Sequence, residues 1–225
     1  MTRRAAHRMF SLVVFDLDGT LIDSIGDLAV AVNRLVAEHD GRPLGDREVA
    51  AMVGEGAGLL VARAFAASGA TGDAREALPR FLEIYDAILP GATRPYPGVP
   101  ETLEDAARHA KLAVLTNKPG AATRRLLALL ELERYFGEIV GGDGAFRRKP
   151  HTDGLLHLMK TAGAGAASTL MVGDSIVDLR TAHEAGVRAC VARYGFGQVT
   201  FDEAELRGDE YFIDDPRQLL VLLQS

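Results

Sequence analysis

Two carboxylates, Asp16 and Asp18, close the short apolar run Leu12-Val13-Val14-Phe15. Three further apolar segments end in residues of similar kind. Thr116 and Asn117 follow Leu112 to Leu115, Gly142 and Asp143 follow Glu138 to Val140, and Gly173, Asp174 and Ser175 follow Thr169 to Val172, with Asp178 one helical turn after Asp174. Lys149 and Pro150 stand on the loop before the last of these segments. Brought together, these groups make a site of three or four carboxylates, one hydroxyl and one ammonium. Crowded carboxylates repel one another and demand a cation, and a few oxygen ligands with room for water suit Mg²⁺ better than zinc. Lys149, the Thr116 hydroxyl and the loop amides after Asp16 suit a phosphoryl group, whose transfer is catalysed mainly by positioning and charge neutralisation. An Asp whose charge is neutralised by a metal can attack phosphorus as a nucleophile. A second carboxylate two residues away can protonate the leaving oxygen and later deprotonate water.

Such convergence needs strands whose ends lie side by side. Leu12 to Phe15 is short and β-branched, as in a buried strand. After Ser24 the period changes: Ile25, Leu28, Val32, Leu35 and Val36 share one helical face, and Ser24 with Asp27 predicts a capping box. Helical patterns continue through Val49–Val53, Leu59–Phe65 and Leu78–Ile88. Residues 90–100 contain four prolines, Pro90, Pro95, Pro97 and Pro100, and read as a linker or hinge that excludes helix. Beyond it, helices over 100–109, 120–130, 152–161 and 176–185 alternate with strands at Leu112–Leu115, Glu138–Val140, Thr169–Val172 and Ala189–Ala192, and a last helix covers about 216–223. This alternation predicts an α/β fold, a Rossmann-like parallel sheet covered by helices on both faces, with a helical block inserted after the first strand. In open parallel sheets ligands bind outside the carboxyl ends of the strands, where strand order reverses.

The 225 residues carry a net charge of −6 and are 48% hydrophobic, which suits a globular chain and not a basic nucleic-acid binder. No apolar stretch reaches the length of a membrane span. Arg3, Arg4 and Arg8 precede no apolar stretch of the secretory kind, so a cytoplasmic location is expected. The one cysteine, Cys190, excludes an internal disulfide and reads as a core thiol. The absence of Trp argues against a base-stacking or carbohydrate platform. Gly54, Gly56 and Gly58 neither follow a strand nor precede the Lys-Ser/Thr of a P-loop, and read as a turn between helices.

Four motifs, Asp16-Leu17-Asp18-Gly19-Thr20-Leu21, Leu115-Thr116-Asn117-Lys118-Pro119, Lys149-Pro150-His151 and Gly173-Asp174-Ser175-Ile176-Val177-Asp178, occur in this order. Together they resemble the haloacid-dehalogenase superfamily of phosphohydrolases over nearly the whole chain. Met52 to Ala57 and Tyr194 to Gly197 are similar to stretches of its phosphoglycolate phosphatase group. The resemblance implies a catalytic core of residues 1–22 and 91–225 and a helical cap of residues 23–90. It implies Asp16 as nucleophile and metal ligand, Asp18 as general acid/base with its carbonyl on Mg²⁺, and Asp174 as the second carboxylate ligand. Thr116, Asn117 and Lys149 would bind the phosphoryl group, with Ser175 and Asp178 supporting the site. Gly54, Glu55 and Gly56 would approach the substrate from the cap. The implied activity is hydrolysis of a small phosphorylated metabolite, favouring 2-phosphoglycolate, with no nucleic-acid or membrane partner. A sugar phosphomutase and a non-catalytic phosphate-binding or regulatory module remain as alternatives. Asp18 speaks against a dehalogenase. Oligomeric state, monomer or homodimer, stays open.

Overall fold

The computed structural model describes residues 9–196 and 203–224. Arg3, Arg4, Arg8 and Gly197 lie outside them. The first strand, β1 (Leu12–Phe15), is buried over its whole length. A tight loop leads to β2 (Ile22–Asp23), and four helices follow: α1 (Ile25–Ala37), α2 (Asp46–Ala50), α3 (Ala57–Ser68) and α4 (Ala74–Ile88). The chain returns through β3 (Arg94–Pro95), which pairs antiparallel with β2. The proline-rich hinge is therefore half of a two-stranded ribbon, and the helical block hangs from both of its strands.

The alternating segment follows: α5 (Val99–Ala106), β4 (Lys111–Leu115), α6 (Gly120–Leu129), β5 (Glu138–Val140), α7 (Asp153–Ala162), β6 (Thr169–Gly173), α8 (Ile176–Ala185), β7 (Arg188–Ala192), β8 (Tyr211–Ile213) and α9 (Leu219–Leu223). Pro100, with which the helix expected over 100–109 begins, lies inside α5. It occupies the first turn, where the missing N–H has no intrahelical partner to lose. The strand β8 was not anticipated, and a short 3₁₀ turn at Pro216–Gln218 precedes α9.

Six strands form one parallel sheet in the order β5-β4-β1-β6-β7-β8. The chain builds one half outward from β1 through β4 and β5, then crosses to the other side of β1 for β6. Strand order thus reverses at β1. Alternate residues of β1 enter two cores. Val13 and Phe15 pack in a cluster with Val99 and Leu103 of α5, Leu126 of α6 and Leu219 of α9, while Leu12 and Val14 pack with Leu155 and Leu158 of α7 and Leu179 of α8. The first cluster continues into the helical block through Leu28, Val32, Phe81 and Tyr85. Among the described residues no helix is long and apolar enough to cross a membrane.

Candidate active site

β1 lies at the reversal, so the loops at its carboxyl end open into the crevice between the β4 and β6 halves. The Asp16 N–H extends the ladder to the carbonyl of Val172 at 2.9 Å, and the Thr116 N–H does the same to Val140 at 3.0 Å. These bonds hold both residues in register just beyond the sheet. The loop after Asp16 folds on the carbonyl of Leu17, which accepts from the N–H groups of Thr20, Leu21 and Ile22. Gly19 takes a positive φ of 85° there, and a Cβ at that position would lie 2.0 Å from Asp174 Oδ2. Gly195 approaches as closely, and a Cβ there would lie 2.2 Å from the Gly19 carbonyl and 2.4 Å from the Cβ of Asp174. Asp174 thus packs against two residues that lack side chains, and its Oδ1 accepts from the Thr20 hydroxyl at 3.3 Å.

Asp16, Asp174 and Asp178 are all buried, and each places a carboxylate oxygen within 4.8 Å of the others. The Lys149 ammonium sits 2.8 Å from Asp16 Oδ1 and 2.6 Å from Asp178 Oδ1, with its side chain 1% exposed. Burial disfavours the ammonium, but Asp16 and Asp178 outweigh it and raise Lys149 above the ordinary lysine range. Burial pushes the Asp16 carboxyl up to about 6, against the pull of Lys149. The other oxygen of Asp178 accepts from the Ser175 hydroxyl at 2.6 Å and its N–H at 3.2 Å, forming the capping box of α8. Asp178 therefore has both oxygens engaged. Asp16 Oδ1 accepts no well-aligned hydrogen bond among the described residues, and its close partner is the Lys149 charge. Together with Asp18 the site holds four carboxylates against the ammonium groups of Lys149 and Lys118, an excess of two negative charges. That all-oxygen, doubly negative donor set fits a hard divalent cation such as Mg²⁺.

Lys118 is a residue of the motif Leu115 to Pro119 to which the sequence assigns no role of its own. Its buried ammonium lies 3.1 Å from each oxygen of Asp18 and donates to the Tyr85 hydroxyl of α4 at 2.8 Å. A lysine between Asn117 and Pro119, just beyond a strand buried on both faces, was the available signal. The predicted Ser24–Asp27 capping box is absent. Ser24 instead donates to Asp18 Oδ1 at 2.5 Å, and Asp27 accepts from the N–H groups of Ala92 and Thr93 and from the Thr93 hydroxyl. Asp18 takes the Ser24 hydroxyl away from the helix end, and Asp27 fastens the returning chain to α1.

Thr116 is buried at the crevice, and its hydroxyl accepts from the N–H of Lys118 at 3.2 Å. The side chain of Asn117 holds two loops. Its amide donates to the carbonyls of Gly54 and Lys149, each at 3.0 Å, and its oxygen accepts from the Lys149 N–H at 2.9 Å. With those atoms engaged, the group it has left for a phosphoryl oxygen is its backbone N–H. Gly54 and Gly56 bring the loop before α3 to the core, Gly56 beside Asn117 and Arg148. Glu55 pairs with Arg63 of α3. Asp143 stands apart from the carboxylates and accepts from the Gly120 N–H at the start of α6, at 2.7 Å.

The model of the haloacid dehalogenase-like hydrolase family matches residues 13–192. The chain is 45% identical over 194 residues to a phosphoglycolate phosphatase of Rhodospirillum rubrum, covering 83% of this chain and 80% of that protein. It is 40% identical over 223 residues to phosphoglycolate phosphatase 1 of Pseudomonas aeruginosa, covering 96% and 80%. A crystal structure from Haemophilus somnus, described as a predicted phosphoglycolate phosphatase, superposes with a TM-score of 0.87 at 31% identity, over 96% of this chain and 99% of that one.

Proposed function

Because this chain belongs to the haloacid dehalogenase-like hydrolase family and is a phosphatase, we propose that it is a Mg²⁺-dependent phosphomonoesterase with 2-phosphoglycolate as its preferred substrate, working through an aspartyl-phosphate. The observation that carries this reading is the buried cluster at the reversal of strand order: Asp16, Asp174 and Asp178 gathered together, with Lys149 paired to Asp16 and Asp178. The names of the relatives support the substrate.

Asp16 attacks phosphorus, and the ester oxygen departs with a proton from Asp18. Asp18 then takes a proton from the water that attacks the aspartyl-phosphate. Lys149, the Thr116 hydroxyl and the Asn117 N–H neutralise and orient the phosphoryl oxygens. Asp16, the Asp18 carbonyl and Asp174 would hold Mg²⁺, which supplies charge neutralisation to the phosphoryl group and lets a carboxylate approach it. Asp178 and Ser175 act indirectly, by holding Lys149 and the start of α8. Residues 23–90 form the cap over a core of residues 1–22 and 91–225, with Gly54, Glu55 and Gly56 at the edge that meets the core. Closure excludes water from the crevice.

A phosphate-release screen over phosphorylated metabolites, with Mg²⁺ or EDTA, tests the reading. The expected result is Mg²⁺-dependent release that is fastest from 2-phosphoglycolate. Isomerisation of a hexose phosphate without release of phosphate would favour a sugar phosphomutase, and release that EDTA does not suppress would remove the metal.

A further inference from the structure

Phosphoryl transfer gives no task to one buried cation. Lys149 serves Asp16 and Asp178, while Lys118 stands on Asp18 with its side chain 5% exposed. Asp18 flanks the leaving oxygen in the proposed reaction, so whatever the oxygen carries emerges beside Lys118. Across from it is Tyr85, 3% exposed and stacked on Phe81, with the ammonium 4.4 Å from its ring centre. The Tyr85 oxygen accepts from Lys118, and its own O–H finds no acceptor among the described residues. Burial pushes that phenol up to about 12, so it keeps its proton at neutral pH. Lys118 and Tyr85 line a cavity of about 50 Å³ that also reaches Asp16 and Thr116, and apolar side chains such as Leu28 and Leu82 form much of its wall.

The Tyr85 hydroxyl proton lacks an acceptor, and Lys118 places two N–H groups on the one carboxylate of Asp18, so that one of them can turn to a second anion that also accepts from Tyr85. A carboxylate does so with its two oxygens, and a cavity this small admits one only on a short leaving group. Asp18 keeps its orientation through Ser24 when Lys118 divides its protons. We infer that Lys118 and Tyr85 form a receptor for a carboxylate carried by the leaving group, selecting phosphomonoesters in which that carboxylate lies close to the ester oxygen. This rests on the phosphatase reading and adds the source of its selectivity. Because Tyr85 belongs to α4 and Lys118 to the core, the same carboxylate would join the two parts of the molecule over the site.

The test compares kcat/KM for 2-phosphoglycolate and for ethyl phosphate, an ester of similar size whose leaving group carries no charge, in wild type, Lys118→Met, Tyr85→Phe and Arg47→Met. Arg47 is the exposed arginine that lines the wider opening over Asp18 and Asp174. The ratio of the two values is the readout, since damage to Asp18 lowers both. Wild type is expected to prefer 2-phosphoglycolate. Lys118→Met should lower the ratio about 10²-fold and Tyr85→Phe roughly 10-fold, as for hydrogen bonds to a charged group. Tyr85→Phe removes a single oxygen, so it keeps the test decisive if Lys118→Met fails to fold. A wild-type preference that survives in both variants, or that disappears only in Arg47→Met, overturns the receptor and leaves the phosphatase reading intact. A wild type without preference overturns the receptor and the favoured substrate together. No release from either ester contradicts the phosphatase reading itself.

Discussion

Replacing Lys149 by Met should leave two buried carboxylates facing each other without their cation. The ammonium lies 2.8 Å from Asp16 and 2.6 Å from Asp178, and all three side chains are at most 8% exposed, so water screens these pairs little. Removing one partner of a buried ion pair typically costs about 3–5 kcal/mol. In a chain of this size each kcal/mol lowers the melting temperature by roughly 2–4 °C, so the expected drop is roughly 6–20 °C. The assay is thermal denaturation at pH 7 in EDTA, followed by circular dichroism, which keeps divalent cations from standing in for the lost ammonium. The double variant Lys149→Met/Asp178→Asn supplies the internal control. An amide at 178 still accepts from Ser175 and removes one of the two charges, so the double variant should recover a large part of the loss. A single variant within about 3 °C of wild type, or a double variant no more stable than the single one, would refute the idea that Lys149 holds the carboxylates together.

Asp18→Asn should lower kcat for 2-phosphoglycolate by roughly 10²–10⁴-fold, the usual worth of a positioned acid/base, and steady-state kinetics within a factor of about three of wild type would remove Asp18 from that role. Gly195→Ala should place its methyl group 2.2 Å from the Gly19 carbonyl and 2.4 Å from Asp174 Cβ. A displacement near 1 Å at such a site costs on the order of 10²-fold in activity, and unchanged turnover would show that Asp174 tolerates a shift. Cys190, 1% exposed and with its thiol pushed up to about 12 by burial, should resist a thiol-specific disulfide reagent at pH 8 in the native protein and react after denaturation; rapid native labelling would contradict its packing.

The parallel sheet was legible because most of its strands hold a short buried apolar run followed by a Gly or polar residue. Leu12 to Phe15 enters cores on both faces, and such segments read as continuous apolar runs. The strand Tyr211–Ile213 gave no such signal, because it lies at the sheet's edge with Phe212 exposed. Pro95 was read as hinge alone, yet a two-residue ribbon strand tolerates proline. Local rules failed at Ser24 and Asp27 for a tertiary reason: residues 6 and 65 positions away in sequence compete for their side chains. Asp16, Asp174, Asp178 and Lys149 could be placed together because each follows or precedes a recognisable strand. The Lys118–Tyr85 contact could not, since it depends on how the helical block sits on the core, which the spacing of residues along the chain does not record.

Asp16 is the proposed nucleophile. That role is tested most directly by looking for phosphorus on the residue. Asp18→Asn incubated with Mg²⁺ and p-nitrophenyl phosphate, whose leaving group needs little protonation, should form the aspartyl-phosphate faster than water removes it. Acid quenching and peptide mass spectrometry should then find one phosphoryl group on the peptide that contains Asp16, labile to hydroxylamine and absent when Asp16→Asn is added. A phosphoryl group on another residue, or the same label with Asp16→Asn present, would contradict the account.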